Sequence, residues 1–161
     1  MIDKSKAAIL VAAFVGLAPV IHAAASPTSE GAATATCFGQ DATITGTAGE
    51  DFLTGTDEAD VIVGLGGNDY IEGRRGNDRI CGGDGIDGLS GDQGRDRLSG
   101  GADSDQPIQG GIGNDILKGG PGALDFLDGG PGDDSIDGGR GIDLASFSLS
   151  EFGITADLKD G

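Results

Sequence analysis

From residue 46 onward a single large aliphatic recurs every nine residues, two places after an aspartate, against a background of glycine and polar residues. These aliphatics are Leu53, Ile62, Ile71, Ile80, Leu89, Leu98, Leu117, Leu127 and Ile136. Ile108 arrives one residue late behind Pro107, and Ala145 takes the place in the last unit. A spacing of nine suits neither an amphipathic helix nor a continuous alternating strand. It predicts a repeat instead. Three residues with a central aliphatic make a minimal strand whose middle side chain points inward. The six residues between, G-x-x-G-x-D, form a tight turn if the glycines take positive φ. One such unit cannot bury its own aliphatic, so neighbours must stack and share a narrow core.

Counted from Gly46, the pattern gives eleven units, two of which carry one extra residue. Each opens on a glycine, and the turn portion of each closes on an aspartate: Asp51, Asp60, Asp69, Asp78, Asp87, Asp96, Asp105, Asp115, Asp125, Asp134 and Asp143. After Asp143 the clock stops. Phe147, Leu149, Phe152, Ile154, Ala156 and Leu158 then fall in near alternation and predict a terminal hairpin or strand pair capping the open end.

The N-terminus has a different character. Lys4 and Lys6 precede an apolar stretch from Ala7 to Val20, and Ala23-Ala24-Ala25 offers a small-residue cleavage site. That is the form of a general secretory signal, too short for a membrane span. The expected organisation is a signal peptide over 1–25, cleaved near Ala25, and a flexible linker over 26–36. An N-terminal cap over 37–45, repeats over 46–146 and capping strands over 147–161 follow. The expected location is extracellular.

Charge decides the partner class. The chain carries a formal net charge of −17, with 33 glycines, 4% aromatics and no tryptophan. Nucleic acid and anionic membrane would repel it, so neither nucleic-acid binding nor membrane insertion is expected. Stacking the repeats also stacks the eleven aspartates. Two carboxylates about 5 Å apart repel by about 3 kcal/mol at an effective dielectric of about 20. Repeated along two ladders, that repulsion rivals the whole net stability of a small domain. A hard divalent cation between successive turns reverses its sign. Calcium takes oxygen ligands with tolerant geometry, whereas magnesium demands a stricter octahedron. The eleven aspartates are therefore the candidate metal ligands and Ca2+ the expected cofactor. Asp69 with Asp87, Asp78 with Asp96, Asp96 with Asp115 and Asp115 with Asp134 are the cleanest pairs. The two ten-residue units share one ladder, which is expected to bulge between Asp105 and Asp125. Asp84, Asp92, Asp103, Asp128, Asp133 and Asp137 fall outside the phase and are expected to be solvated turn residues.

With these residues the chain resembles the RTX (repeats-in-toxin) calcium-binding family, whose unit is G-G-x-G-x-D-x-U-x with U a large aliphatic. The match spans about Gly46 to Ser146. The resemblance implies an all-β, right-handed parallel β-roll, a β-solenoid in which two repeats make one coil. It also implies calcium in the glycine-rich turns. Metal-dependent folding follows from the charge argument: the chain is expected to be disordered without calcium and ordered with it.

Other signals are weak. Gly83, Gly85 and Gly88 spell GxGxxG, but no helix can follow in this register. Asp133, Ser135, Asp137 and Gly138 open like an EF-hand loop, yet its twelfth position is Leu144. The only histidine, His22, lies in the signal segment, so no serine has a histidine to activate it. A non-enzyme is expected. The two cysteines, Cys37 and Cys81, make a disulfide plausible in a secreted chain. Ideal stacking would separate them by two coils, roughly 10 Å at the interstrand spacing, so the bridge needs the N-terminal segment to fold back. The leading reading is a standalone calcium-binding module. The alternatives are a calcium-stiffened surface or adhesion module and an accessory portion of a larger secreted RTX enzyme or toxin. Nothing in the sequence names a protein or glycan partner.

Overall fold

The computed structural model describes residues 34–146 and the backbone of Thr155–Asp157. The expected signal peptide, most of the linker and most of the C-terminal cap lie outside the described residues.

The described chain is an all-β parallel solenoid of about six coils, without helix. Units alternate between two parallel sheets. One sheet stacks Ile44–Thr45, Val61–Gly66, Arg79–Asp84, Arg97–Gly101, Ile116–Gly120, Ser135–Gly139 and Thr155–Asp157. The other stacks Phe52–Thr54, Tyr70–Glu72, Gly88–Gly94, Ile108–Ile112, Phe126–Asp128 and Leu144–Ser146, with Arg75–Gly76 as a side rung on Gly88–Gly94. Registers follow the clock, with Ile62 beside Ile80, Ile80 beside Leu98, and Leu98 beside Leu117.

One aliphatic per rung fills the space between the sheets. Ile62, Ile71, Ile80, Leu98, Ile108, Leu117 and Leu127 are all 0% exposed, and together with Ile44, Leu53, Leu89 and Ile136 they form a single column. Each contributes roughly 2 kcal/mol of apolar burial, which a lone unit could not obtain. The strands run past the expected three residues in several places: Gly88–Gly94 extends into the next turn. Glycine there lets backbones of successive coils pair closely, as Gly101 does with Gly83.

The two ten-residue units leave the core in phase. Ile108 still pairs with Leu89 and with Leu127. The first extra residue is taken up at the cis Gln106–Pro107 peptide, the second in the turn at Ala123–Leu124, between Gly122 and Asp125.

The N-terminal cap folds back. Thr36–Cys37 pairs antiparallel with Gln40–Asp41, and this hairpin lies on the outer face of the first sheet. Cys37, Val61 and Val63 form a second small core there, with Ala35, Phe38, Ala42 and Cys81 at its margin. Cys37 is bonded to Cys81 with a Cα–Cα separation of 5.8 Å. Folding back brings Cys37 within reach, because Cys81 pairs in register with Val63, directly beneath the hairpin. At the other end, Thr155–Asp157 pairs parallel to Ser135–Gly139 and so continues the stack as another rung, not as an antiparallel hairpin.

Candidate metal centre

The eleven phased aspartates fall on two ladders. Asp51, Asp69, Asp87, Asp105, Asp125 and Asp143 follow one sheet; Asp60, Asp78, Asp96, Asp115 and Asp134 follow the other. The first ten are buried, with Asp87, Asp96, Asp105 and Asp125 at 0% exposure, while Asp143 is half-buried. Among the described residues no lysine or arginine pairs with a ladder aspartate; the ion pair Arg75–Asp57, 3.6 Å long, sits on the exposed rim.

A rung-to-rung hydrogen bond organises each ladder. The Asp51 amide donates to Oδ1 of Asp69 at 2.8 Å, and Asp69 donates in turn to Asp87 at 2.8 Å. On the other ladder Asp60, Asp78, Asp96 and Asp115 donate to Asp78, Asp96, Asp115 and Asp134 at 2.8, 2.8, 2.8 and 2.9 Å. The four cleanest pairs from the sequence are thus brought together. The expected bulge between Asp105 and Asp125 does not reach the ladder, since the Asp105 amide meets Asp125 Oδ1 at 2.8 Å. The inserted residues flank the two aspartates, Gln106–Pro107 on the strand side of Asp105 and Ala123–Leu124 on the turn side of Asp125, without displacing either.

This link uses one carboxylate oxygen. The other, Oδ2, is buried without a hydrogen-bond partner at Asp69, Asp78, Asp87, Asp96, Asp105, Asp115 and Asp125. A buried carboxylate oxygen left unpaired costs on the order of 1–3 kcal/mol, more when charged. Each faces a crowded cradle at the glycine that opens its unit. A methyl group on Gly73 would stand 2.6 Å from Asp78 Oδ2 and 3.0 Å from the Gly91 carbonyl oxygen. Equivalent pairs are Asp69 with Gly82, Asp96 with Gly110 and Asp115 with Gly129. The donor set is therefore a carboxylate oxygen and a main-chain carbonyl of the next coil, all hard oxygen. Among the described residues no three carboxylate, histidine or cysteine side chains converge. A cation here must draw on backbone carbonyls, which suits calcium and excludes a thiolate or imidazole site for zinc.

Burial pushes these carboxyls up. Asp96 and Asp105 rise to about 7, chiefly by desolvation, opposed by the amide each accepts and reinforced by neighbouring aspartates. Asp78, Asp87 and Asp115 rise to about 6, and Asp69, Asp125 and Asp134 are raised too, again with desolvation as the main cause. The ladders resist ionisation unless positive charge arrives.

The first two rungs differ. Oδ2 of Asp51 accepts the Thr47 amide at 2.6 Å and its hydroxyl at 2.9 Å. Oδ2 of Asp60 likewise accepts from Thr56, at 2.7 and 2.8 Å. The sequence reading missed these threonines; the signal available was threonine at the second position of those two units alone. The out-of-phase aspartates are as expected at four positions, with Asp84, Asp103, Asp133 and Asp137 exposed. Asp92 and Asp128 are half-buried in local turns, where Asp92 accepts from the Ser90 hydroxyl at 2.6 Å and Asp128 from the Gly130 amide at 3.3 Å.

A parallel solenoid with two ladders of unpaired, buried carboxylate oxygens defines a class: repeat proteins built around cations in their turns. The chain belongs to the RTX calcium-binding nonapeptide-repeat family, whose four-copy profile matches residues 39–64, 45–80, 54–89, 82–106 and 109–145. No curated protein and no solved structure matches it. Among the described residues, no helix is long and apolar enough to cross a membrane.

Proposed function

We propose that this chain is an extracellular, non-enzymatic calcium-binding module whose stacked turns hold calcium and whose folding depends on it. The observation that carries the reading is the set of seven Oδ2 atoms buried without partners on ladders that no basic side chain among the described residues neutralises. With calcium bound, these oxygens and the facing carbonyls of Gly82, Gly91, Gly110 and Gly129 would supply its ligands, and the ion would supply the missing charge. The aspartates' own task is geometric. From Asp69 onward each accepts the preceding coil's aspartate amide on Oδ1 and keeps Oδ2 turned to the turn glycine.

Without the ion, the ladders carry both desolvation and mutual repulsion, which together exceed what a thin aliphatic column offsets. Low calcium would leave the repeats unfolded, and the calcium-rich extracellular setting would fold them. Calorimetric titration of the full chain with calcium, followed by circular dichroism in excess chelator, tests this. The expected result is saturable binding of several ions and loss of β signal on chelation. An identical β signal in chelator and in millimolar calcium would overturn the folding claim, and absence of binding heat would overturn the calcium assignment.

A further inference from the structure

We infer that the first rung of each ladder, at Asp51 and Asp60, is closed by threonine in place of metal, so that the calcium sites begin at Asp69 and Asp78. The inference rests on the calcium reading and deepens it by separating turns that take the ion from turns that do not.

Three independent observations converge. The carboxylate chemistry comes first. Oδ2 of Asp51 and Asp60 each receive two hydrogen bonds from their own unit's threonine, whereas Oδ2 of the next seven aspartates receives none. The threonine hydroxyl is itself fully used, accepting the Gly49 amide at 3.2 Å in one turn and the Glu58 amide at 3.1 Å in the other.

The backbone is the second. In later units the second position is left-handed, at φ 124° for Gly83 and Gly101, and even at 83°, 80° and 70° for Leu65, Arg74 and Asp92. Thr47 and Thr56 do not adopt positive φ, and neither Gly49 nor Glu58 two residues on does so. A β-branched residue is the worst fit to the left-handed region, so threonine selects another turn, one that aims its own amide at the carboxylate.

The third observation is where these turns sit. Asp60 Oδ1 lies 3.2 Å from the Thr43 hydroxyl of the cap, and Val61 beside it is packed under the disulfide-bonded hairpin. The closed turns are joined, at Asp60, to the part of the molecule that has its own core and a covalent tie. They form a start that stands without the ion, onto which calcium-bearing coils add.

Thr47→Gly supplies the test, because it turns the first unit into G-G-A-G-E-D-F-L-T, the full repeat. Calcium bound per chain is counted by equilibrium dialysis for the wild type, for Thr47→Gly and for Thr47→Val, which keeps the amide and the shape and loses only the hydroxyl. The expected result is a gain of about one ion for Thr47→Gly, by opening an oxygen-lined turn, and an unchanged count for Thr47→Val. An unchanged count in Thr47→Gly, or an ion lost in Thr47→Val, would overturn the inference while leaving calcium binding intact. A second readout guards against misfolding of the glycine variant. In the wild-type full chain, the Thr47 and Thr56 amide resonances are expected to stay in place through a calcium titration that shifts those of Gly82 and Gly100. Movement of both threonine amides with the glycines would overturn the inference. A wild type that binds no calcium would bring down the calcium reading first.

Discussion

The first two turns and the turns opened by Gly64 through Gly119 place an aspartate at the same phase and bury it to a similar depth, yet leave it in opposite chemical states. In the first two, both threonine donors reach the carboxylate; in the others, one oxygen is spent on the coil-to-coil link and the second meets nothing. Phase and burial therefore do not make a metal site. On the proposed reading, what makes one is the residue at the second position, because it sets whether the turn satisfies its own aspartate or leaves an oxygen for a cation.

The glycine-rich turns are also less forgiving than the N-terminal hairpin, and a matched pair of substitutions exposes this. Gly94 has φ 150°, and a methyl group there would collide with the Gly76 carbonyl of the coil below. Gly39, in the N-terminal hairpin, has φ 76° but nothing within 4 Å of such a methyl. Gly94→Ala is expected to cost about 4–5 kcal/mol, overpacking added to left-handed strain, and Gly39→Ala about 1–2 kcal/mol, strain alone. Urea unfolding in saturating calcium checks both, and similar losses at the two positions would break the comparison.

The disulfide ranks next. Cys37 and Cys81 close a loop with a sequence separation of 44, for which chain entropy gives about 3–4 kcal/mol. The Cys37→Ser, Cys81→Ser double variant is expected to lose that amount, and to lose the hairpin's protection first in chelator, where no ion supports the neighbouring coils. Thermal melts with and without calcium measure it.

Acid should mimic the ion on the ladders. A carboxyl whose folded pKa is raised adds stability below its unfolded value, near 3.8, and loses that contribution as pH climbs through the folded value. With Asp96 and Asp105 at about 7, and Asp78, Asp87 and Asp115 at about 6, the metal-free coils are expected to gain β structure as pH falls from 8 toward 4. Calcium affinity should weaken over the same window, because protons compete for the same oxygens. Circular dichroism in chelator across that range checks the first effect and calorimetry the second.

Much of this was legible in the sequence because its signal repeats. The spacing of Leu53, Ile62, Ile71 and their successors fixes the stacking, the phase of the aspartates fixes their alignment, and the family resemblance implied the parallel roll. Local exceptions were harder to read. Pro107 and the extra residue at Ala123–Leu124 looked able to disturb the ladder, but the backbone absorbs each where no aspartate is displaced. The bridge from Cys37 depended on a fold-back that no period encodes, being a matter of Val61 and Val63 needing cover on an outer face. Thr47 and Thr56 were visible as departures from glycine. Their meaning required the φ of the turn, which places an amide inside or outside the coil.

Amide hydrogen exchange on the full chain, at pH 7.5 in millimolar calcium and again in excess chelator, tests most directly that the buried, unpartnered carboxylates need a cation. Chelation is expected to strip protection more than about a hundredfold from the coils between Asp69 and Asp125, while amides of the first two turns and the hairpin lose less than about tenfold, as expected for units that open separately. Uniform, undiminished protection across the Asp69–Asp125 coils in chelator would contradict the account.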